Sequence, residues 1–253
     1  MKSLPWDYSS LAESYHGRPP YADAVIDDLM AIAGVAPGDR VCDIGAGTGH
    51  LSVHLVAHGL VVDAVEPNDA MRGVGRERLA DAPVEWFEAR GEDTGRPEGA
   101  YPLVTFGSSF NVVEHARALA EVARILDRPG WVAMMWNHRE LDTDPLQTEI
   151  EAVIASRIPG YDYGTRRSDP SGDVAASGLF HAPRYLEGSV RHEVDADEWV
   201  EAWNSHATLA RQAGDQMEQI VDEIAARVAH AQDGGRLTVP YTTRCWVAEV
   251  KGP

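Results

Sequence analysis

Cysteine is scarce in this sequence: Cys42 and Cys245 are the two copies, and each sits inside an apolar run. A disulfide framework is therefore excluded, and buried reduced thiols are the ordinary reading of such a pair. The ten histidines show no spacing typical of a zinc centre, so no metal is expected. Long apolar runs are also missing. The longest, such as Trp131 to Trp136, fall far short of the roughly 20 residues a membrane-spanning helix needs. The opening stretch MKSLPWDYSSL lacks the apolar segment of a secretory leader, which makes the cytoplasm the expected location. Positive charge is the third shortage. Twenty-two basic residues stand against 40 acidic ones, a formal charge of −18, and no basic run exceeds Arg166-Arg167. A polyanion would be repelled by that field, so nucleic acid is not expected as a partner.

What is present suits a globular protein. At 253 residues the chain can bury a full core as one domain with an insertion. Its first two thirds alternate short apolar runs with helical patterns, the signature of an open α/β sheet. Strands are predicted at Arg40 to Gly45, Val61 to Glu66, Pro83 to Ala89, Tyr101 to Gly107 and Trp131 to Asn137. Helices are predicted at Thr48 to Ala57, Asp69 to Ala80 and His115 to Leu126, the last stopped by Asp127-Arg128-Pro129-Gly130. Crossovers of this length join parallel strands, so a doubly wound, largely parallel sheet is expected. Beyond residue 138 the pattern predicts a helical cap, with a helix at Pro145 to Ile158 and a Gly/Pro/Asp/Ser-rich stretch after it. Strand Tyr185 to Val194, helices Asp195 to Ser205 and Thr208 to His230, and a closing strand Pro240 to Val250 follow.

The strongest local signal is VCDIGAGTGHL at 41–51: an apolar strand, Asp43, glycines at 45, 47 and 49, then a helix. The glycines allow a sharp strand-to-helix turn and close approach of a ligand to bare backbone. Their G-x-G-x-G spacing differs from the G-x-G-x-x-G of dinucleotide enzymes, which counts against a nicotinamide oxidoreductase. The second strand ends in Glu66, 21 residues past Gly45, where a carboxylate can accept both hydroxyls of a ribose. The third leads into Arg90-Gly91-Glu92-Asp93, again at the carboxyl edge of the sheet.

With these motifs the chain resembles the class I S-adenosylmethionine (SAM)-dependent methyltransferases, particularly the small-molecule branch that includes trans-aconitate methyltransferase-like enzymes. The likeness covers residues 8 to 138 well and the remainder loosely. The glycine segment matches the first motif of that family, Glu66-Pro67-Asn68 with Met71 the acidic ribose motif, and Glu92-Asp93-Thr94 the adenine-side segment. Leu103 to Phe110 resembles its fourth strand and methionine-side wall. The resemblance implies a Rossmann-like seven-stranded sheet, SAM as cofactor, and a small-molecule acceptor, with secondary metabolism as the expected setting.

The resemblance implies roles for particular residues. Gly45, Ala46 and Gly47 would approach the methionine moiety, beside Ser108; Glu66, followed by Pro67, would hold the ribose; Met71, Gly91 and Glu92 would surround adenine. The segment Tyr15-His16-Gly17-Arg18-Pro19-Pro20-Tyr21 resembles a lid, in which Tyr15 and Arg18 would meet the cofactor. Where relatives carry His-Trp-Phe-Asp after the fourth strand, this chain has Asn111-Val112-Val113-Glu114, so acceptor identity does not carry over. If the acceptor must lose a proton, His138 and His206 are the candidate bases; Tyr161, Tyr163 and Trp203 are candidates for a pocket wall or for plain core. SAM-consuming chemistry without methyl transfer, and a noncatalytic SAM-binding subunit, are the alternatives to a methyltransferase.

Overall fold

The computed structural model describes residues 18–162, 168–204 and 206–252. Seven strands form one sheet in the order β3-β2-β1-β4-β5-β7-β6. They are β1 (Arg40–Ile44), β2 (Val61–Val65), β3 (Val84–Phe87), β4 (Tyr101–Gly107), β5 (Leu126–Arg139), β6 (Arg184–Asp195) and β7 (Arg236–Glu249). The pairs among β1 to β5 are parallel, whereas β7 runs antiparallel to both β5 and β6. The doubly wound, largely parallel sheet expected from the sequence is the one observed. Cys42 on β1 and Cys245 on β7 are buried free thiols with β4 and β5 between them.

Helices cover both faces. On one side α1 (Asp23–Ala33) and α2 (His50–Ala57) bury Ile26, Leu29, Leu51 and Leu55 against Val41, Val62, Leu103 and Val247. On the other, α4 (His115–Ile125) buries Ala118, Leu119, Val122 and Ile125 at helical spacing. The latter core also takes Val174 from α6 (Ser171–Ser177) and Phe180. Helix α3 (Asp69–Arg78) links β2 to β3.

The second half builds a core of its own. Helices α5 (Pro145–Arg157), α7 (Ala196–Asn204), α8 (Ala207–Ala213) and α9 (Met217–Ala231) surround Trp199, Trp203, Ile220 and Ile224. The far ends of β6 and β7 supply Val194, Leu237, Val239 and Tyr241 to the same cluster, so the two strands run on past the sheet into the cap.

Several expectations need correction. The single helix expected at Thr208 to His230 is two, α8 and α9, broken by a 3-10 turn at Gly214, whose φ is 52°. Asp127 to Gly130 does not form a separate stop: β5 begins at Leu126, opposite Tyr101, and a register shift absorbs those residues before Trp131 pairs with Leu103. Helices α1 and α6 were not expected. The glycine turn also delays α2 until His50, since Gly49 is left-handed, with φ 77°. Among the described residues, no helix is long and apolar enough to cross a membrane.

Candidate functional site

The carboxyl ends of β1, β2, β3 and β4 converge, and the backbone there is tightly prescribed. After β1 the chain turns through Gly45 and Gly47, both left-handed with φ 66° and 58°. The amides of Gly45 and Ala46 donate to the Val65 carbonyl at 2.8 and 3.1 Å. Gly45 has a second reason to be glycine: a Cβ there would lie 2.5 Å from the Ser109 Cβ. Ser109 closes that contact by donating its hydroxyl to the Ile44 carbonyl, 2.5 Å away.

Beneath the turn lies Asp43, fully buried in β1, where it accepts hydrogen bonds from the hydroxyls of Ser52 (2.7 Å) and Thr105 (2.9 Å). Burial raises its pKa to about 6; the two hydroxyls pull it down and the Glu66 charge adds to the rise. This network ties α2 and β4 to the floor of the turn.

Glu66, directly after β2, is the centre of the arrangement. Its Oε2 accepts from the Gly47 amide (2.9 Å) and its Oε1 from the Asn68 amide (2.8 Å). Each oxygen keeps lone-pair capacity beyond those bonds. Burial pushes this carboxyl above its ordinary range, against the two amides and Arg72, which act downward. Asn68 caps α3 by accepting from the Met71 amide, and Met71 lies buried over the glycine turn, its Cε 3.4 Å from where a Gly47 Cβ would stand. Pro67, half-buried, completes the turn.

On the β3 side, Gly91 is walled by Ile44 and Val113, each 3.0 Å from a Cβ built there. The Glu114 amide donates to Glu92 at 2.8 Å. Thr94 donates both its amide and its hydroxyl to Glu121 (2.9 and 2.5 Å), a carboxylate that Arg124 also holds. Although burial alone would raise Glu121, Arg124 and Thr94 bring it down to about 2. On the β4 side, Ser108 is left-handed at φ 59°, a strained conformation for a residue with a side chain. Its hydroxyl meets the Tyr21 hydroxyl at 3.1 Å.

The N-terminal segment lies across these strand ends. Pro19 is held through its carbonyl by His50 Nε2 (2.8 Å) and by the Asn137 amide group, which also reaches the Pro20 carbonyl (2.9 Å each). Thr243 takes the Ala22 amide (2.8 Å) and donates to Asn137 Oδ1 (2.6 Å). Arg18 is half-buried at the start of this strap. Tyr15, expected beside it, lies outside the described residues.

The two candidate bases have different surroundings. His138 is buried on β5 opposite Thr242. Strand alternation sets it on the face opposite Asn137 and Arg139. It is Arg139 that reaches the cap, stacking over Trp203 at 4.9 Å and pairing with Glu151 at 2.7 Å. His206 caps α8, its Nδ1 accepting from the Leu209 amide at 3.2 Å, and its ring stacks on Trp203 at 5.3 Å. Trp203 is core, packed edge-on to Trp199, and Tyr161 joins the same cluster half-buried; Tyr163 lies outside the described residues.

These groups fit a nucleoside. A carboxylate with spare acceptor capacity stands beside a glycine turn whose backbone is bare. Next to it, the buried Thr48 hydroxyl has no hydrogen-bond partner among the described residues. Asp43 and Asn68 stood in the quoted motifs without roles of their own, and Thr48, Ser109 and Asn137 were not picked out by sequence reasoning. Asn68 was readable as a cap before an amphipathic stretch; the others needed the strand order. Among the described residues, no group of three or more His, Cys, Asp or Glu has the arrangement to hold a metal ion.

Comparison with known proteins decides the class. Residues 42–134 match the methyltransferase domain family. The seven-stranded, mostly parallel sheet with flanking helices is the Rossmann-like fold found in methyltransferases. The match to an uncharacterised methyltransferase of Mycobacterium tuberculosis is 34% identical over 140 residues, 55% of this chain and 55% of that one. A demethylmenaquinone methyltransferase of Clavibacter sepedonicus is 32% identical over 182 residues, covering 71% of this chain and 65% of its own. The methyltransferase domain and its flanks thus span from about half to just under two thirds of these relatives' lengths. In fold the chain is similar to phosphoethanolamine N-methyltransferase 2 of Haemonchus contortus in complex with phosphomonomethylethanolamine and S-adenosylhomocysteine. There the TM-score is 0.57 at 15% identity, over 97% of this chain and 58% of that one.

Proposed function

We propose that this chain transfers the methyl group of SAM to a free small molecule. The observation that carries the reading is Glu66, a buried carboxylate fixed by the Gly47 and Asn68 amides at the point where β1 and β2 end. On this reading Glu66 accepts the ribose hydroxyls, with Pro67 shaping its turn. Gly45, Ala46 and Gly47 admit the methionine moiety, Ser108 borders it, and Met71, Gly91 and Glu92 enclose the adenine. Arg18, on the strap, faces the carboxylate of the cofactor, a pairing that suits a guanidinium fork.

The cofactor supplies an already activated methyl group. The work left to the protein is to hold the acceptor in line and keep water out. The cap helices α5 and α7 to α9 form the acceptor cover, and the acidic surface turns polyanions away. The Clavibacter relative is named a demethylmenaquinone methyltransferase, which supports a small-molecule acceptor. Where that acceptor must lose a proton, His138, buried near the carboxyl end of β5, is the base we assign.

The test supplies tritiated SAM with a small-metabolite fraction, tRNA, DNA and bulk protein in separate reactions. Label is expected in the metabolite fraction. Label entering a macromolecule at a catalytic rate, with none in metabolites, would overturn the acceptor assignment; methylthioadenosine release without labelled product would overturn methyl transfer.

A further inference from the structure

We infer that Arg72 is a positioning residue of the cofactor site, locking the Glu66 turn from behind so that the carboxylate stays presented as an acceptor. Its guanidinium is 3% exposed and joins three elements. Nη1 donates to the Glu66 carbonyl at 2.7 Å, and Nη2 donates to Asp69 and to Glu88, each at 2.9 Å. The anchors differ in kind. Asp69 and Glu88 are 90% and 63% exposed, so water could satisfy them without Arg72. The Glu66 carbonyl is buried with its residue and has the guanidinium as its donor. A buried cation is costly to place, and only the ribose turn gains from having it there.

The charge balance around Glu66 points the same way. Asp43 faces it from β1, while Asp69 on α3 and Glu88 beyond β3 lie across Arg72, so the surrounding charges are otherwise negative. Burial already drives the Glu66 carboxyl upward, and Arg72 is the cation that opposes it. Without Arg72 the acid would hold its proton to higher pH, and a protonated carboxyl has lost acceptor capacity for a vicinal diol. This inference rests on Glu66 as the ribose acid.

The test is calorimetric titration of S-adenosylhomocysteine into the full chain and its R72M, R72Q and E66Q variants, from about pH 6 to about pH 9. For R72M we expect affinity about tenfold weaker at neutral pH, from the lost hold on the turn, and weaker still towards the acid end, where Glu66 keeps its proton more readily. R72Q, which keeps polar contacts without the charge, should show the same pH profile and carries the test if R72M does not fold. E66Q should bind weakly at every pH. A loss in R72M and R72Q that stays flat with pH would reduce Arg72 to fold maintenance and overturn the inference, as would wild-type affinity in either variant. Wild-type affinity in E66Q would remove the ribose assignment, and this inference with it.

Discussion

The two halves of the molecule hold their polar groups in opposite ways. At the sheet edge, the groups that shape the glycine turn are fixed by backbone: Glu66 by two amides, Ser109 by the Ile44 carbonyl, Gly45 and Ala46 by the Val65 carbonyl. In the cap, polar groups lean on aromatic side chains: Arg139 and His206 on Trp203, Trp199 on Tyr241 at 3.3 Å. Backbone-held geometry leaves little room for substitution, because each amide is already set by a strand end. Side-chain-held geometry can repack while the fold survives. Under the proposed function, a cofactor common to many enzymes suits the first arrangement, and an acceptor particular to one suits the second.

Glycine substitutions break the comparison most sharply. Gly45→Ala should lose roughly 2–5 kcal/mol, combining left-handed backbone strain with overpacking against Ser109. Gly160→Ala in the cap has a similar φ of 77° but no atom within 4 Å of the new Cβ. Its cost should stay near 1 kcal/mol. Urea unfolding of both variants measures the difference, and equal losses would show that the sheet edge repacks as readily as the cap.

A middle-sized effect comes from the buried acid under the glycine turn. Asp43 has a folded value of about 6, above the 3.8 of an unperturbed carboxyl. A raised value means the proton favours the fold. The stabilisation is therefore complete below about pH 4 and lost as pH rises through about 6. Against Asp43→Asn, which does not titrate, the wild type should lose on the order of 2 kcal/mol across that window. Glu121, lowered to about 2, acts with the opposite sign, its stabilisation fading as pH falls below about 4.5, so it falls largely outside the window. Melting of the two proteins from about pH 4 to about pH 7 checks the sign, and parallel curves would mean that burial does not make Asp43 hold its proton.

The same contrast governs what could be read from the chain. The parallel sheet was legible because β1, β2 and β4 are apolar runs with glycines or turns at their ends, and their bounds were found to within a residue. Glu66 and the glycine turn were legible because their spacing is set by a single βαβ unit. Asn137 and Thr243 were not: they are 106 residues apart, and only the antiparallel insertion of β7 beside β5 makes them neighbours. Helix α1 stayed hidden because its boundary carries no capping side chain, Ala22 standing where a Ser or Asp would have marked it. The α8–α9 break was hidden for another reason. Gly214 sits inside a continuous helical apolar pattern, and one glycine is ordinarily tolerated there.

His206 gives the smallest expected effect and the finest test of the contrast, because sequence alone made it a candidate base. In the structure its Nδ1 is committed to the Leu209 amide and its ring to Trp203, which is the work of a helix cap. His206→Ala should then cost about 1 kcal/mol of stability, as other lost caps do. His206→Asn, whose side-chain oxygen can take the same amide, should recover most of it. Neither change should slow methyl transfer beyond what unfolding explains, whereas removal of a general base slows a reaction by about 10²–10⁴-fold. Single-turnover rates of the Asn variant decide the matter. A hundredfold fall in a protein as stable as wild type would return His206 to the chemistry and make the cap a contributor of reacting groups as well as a cover.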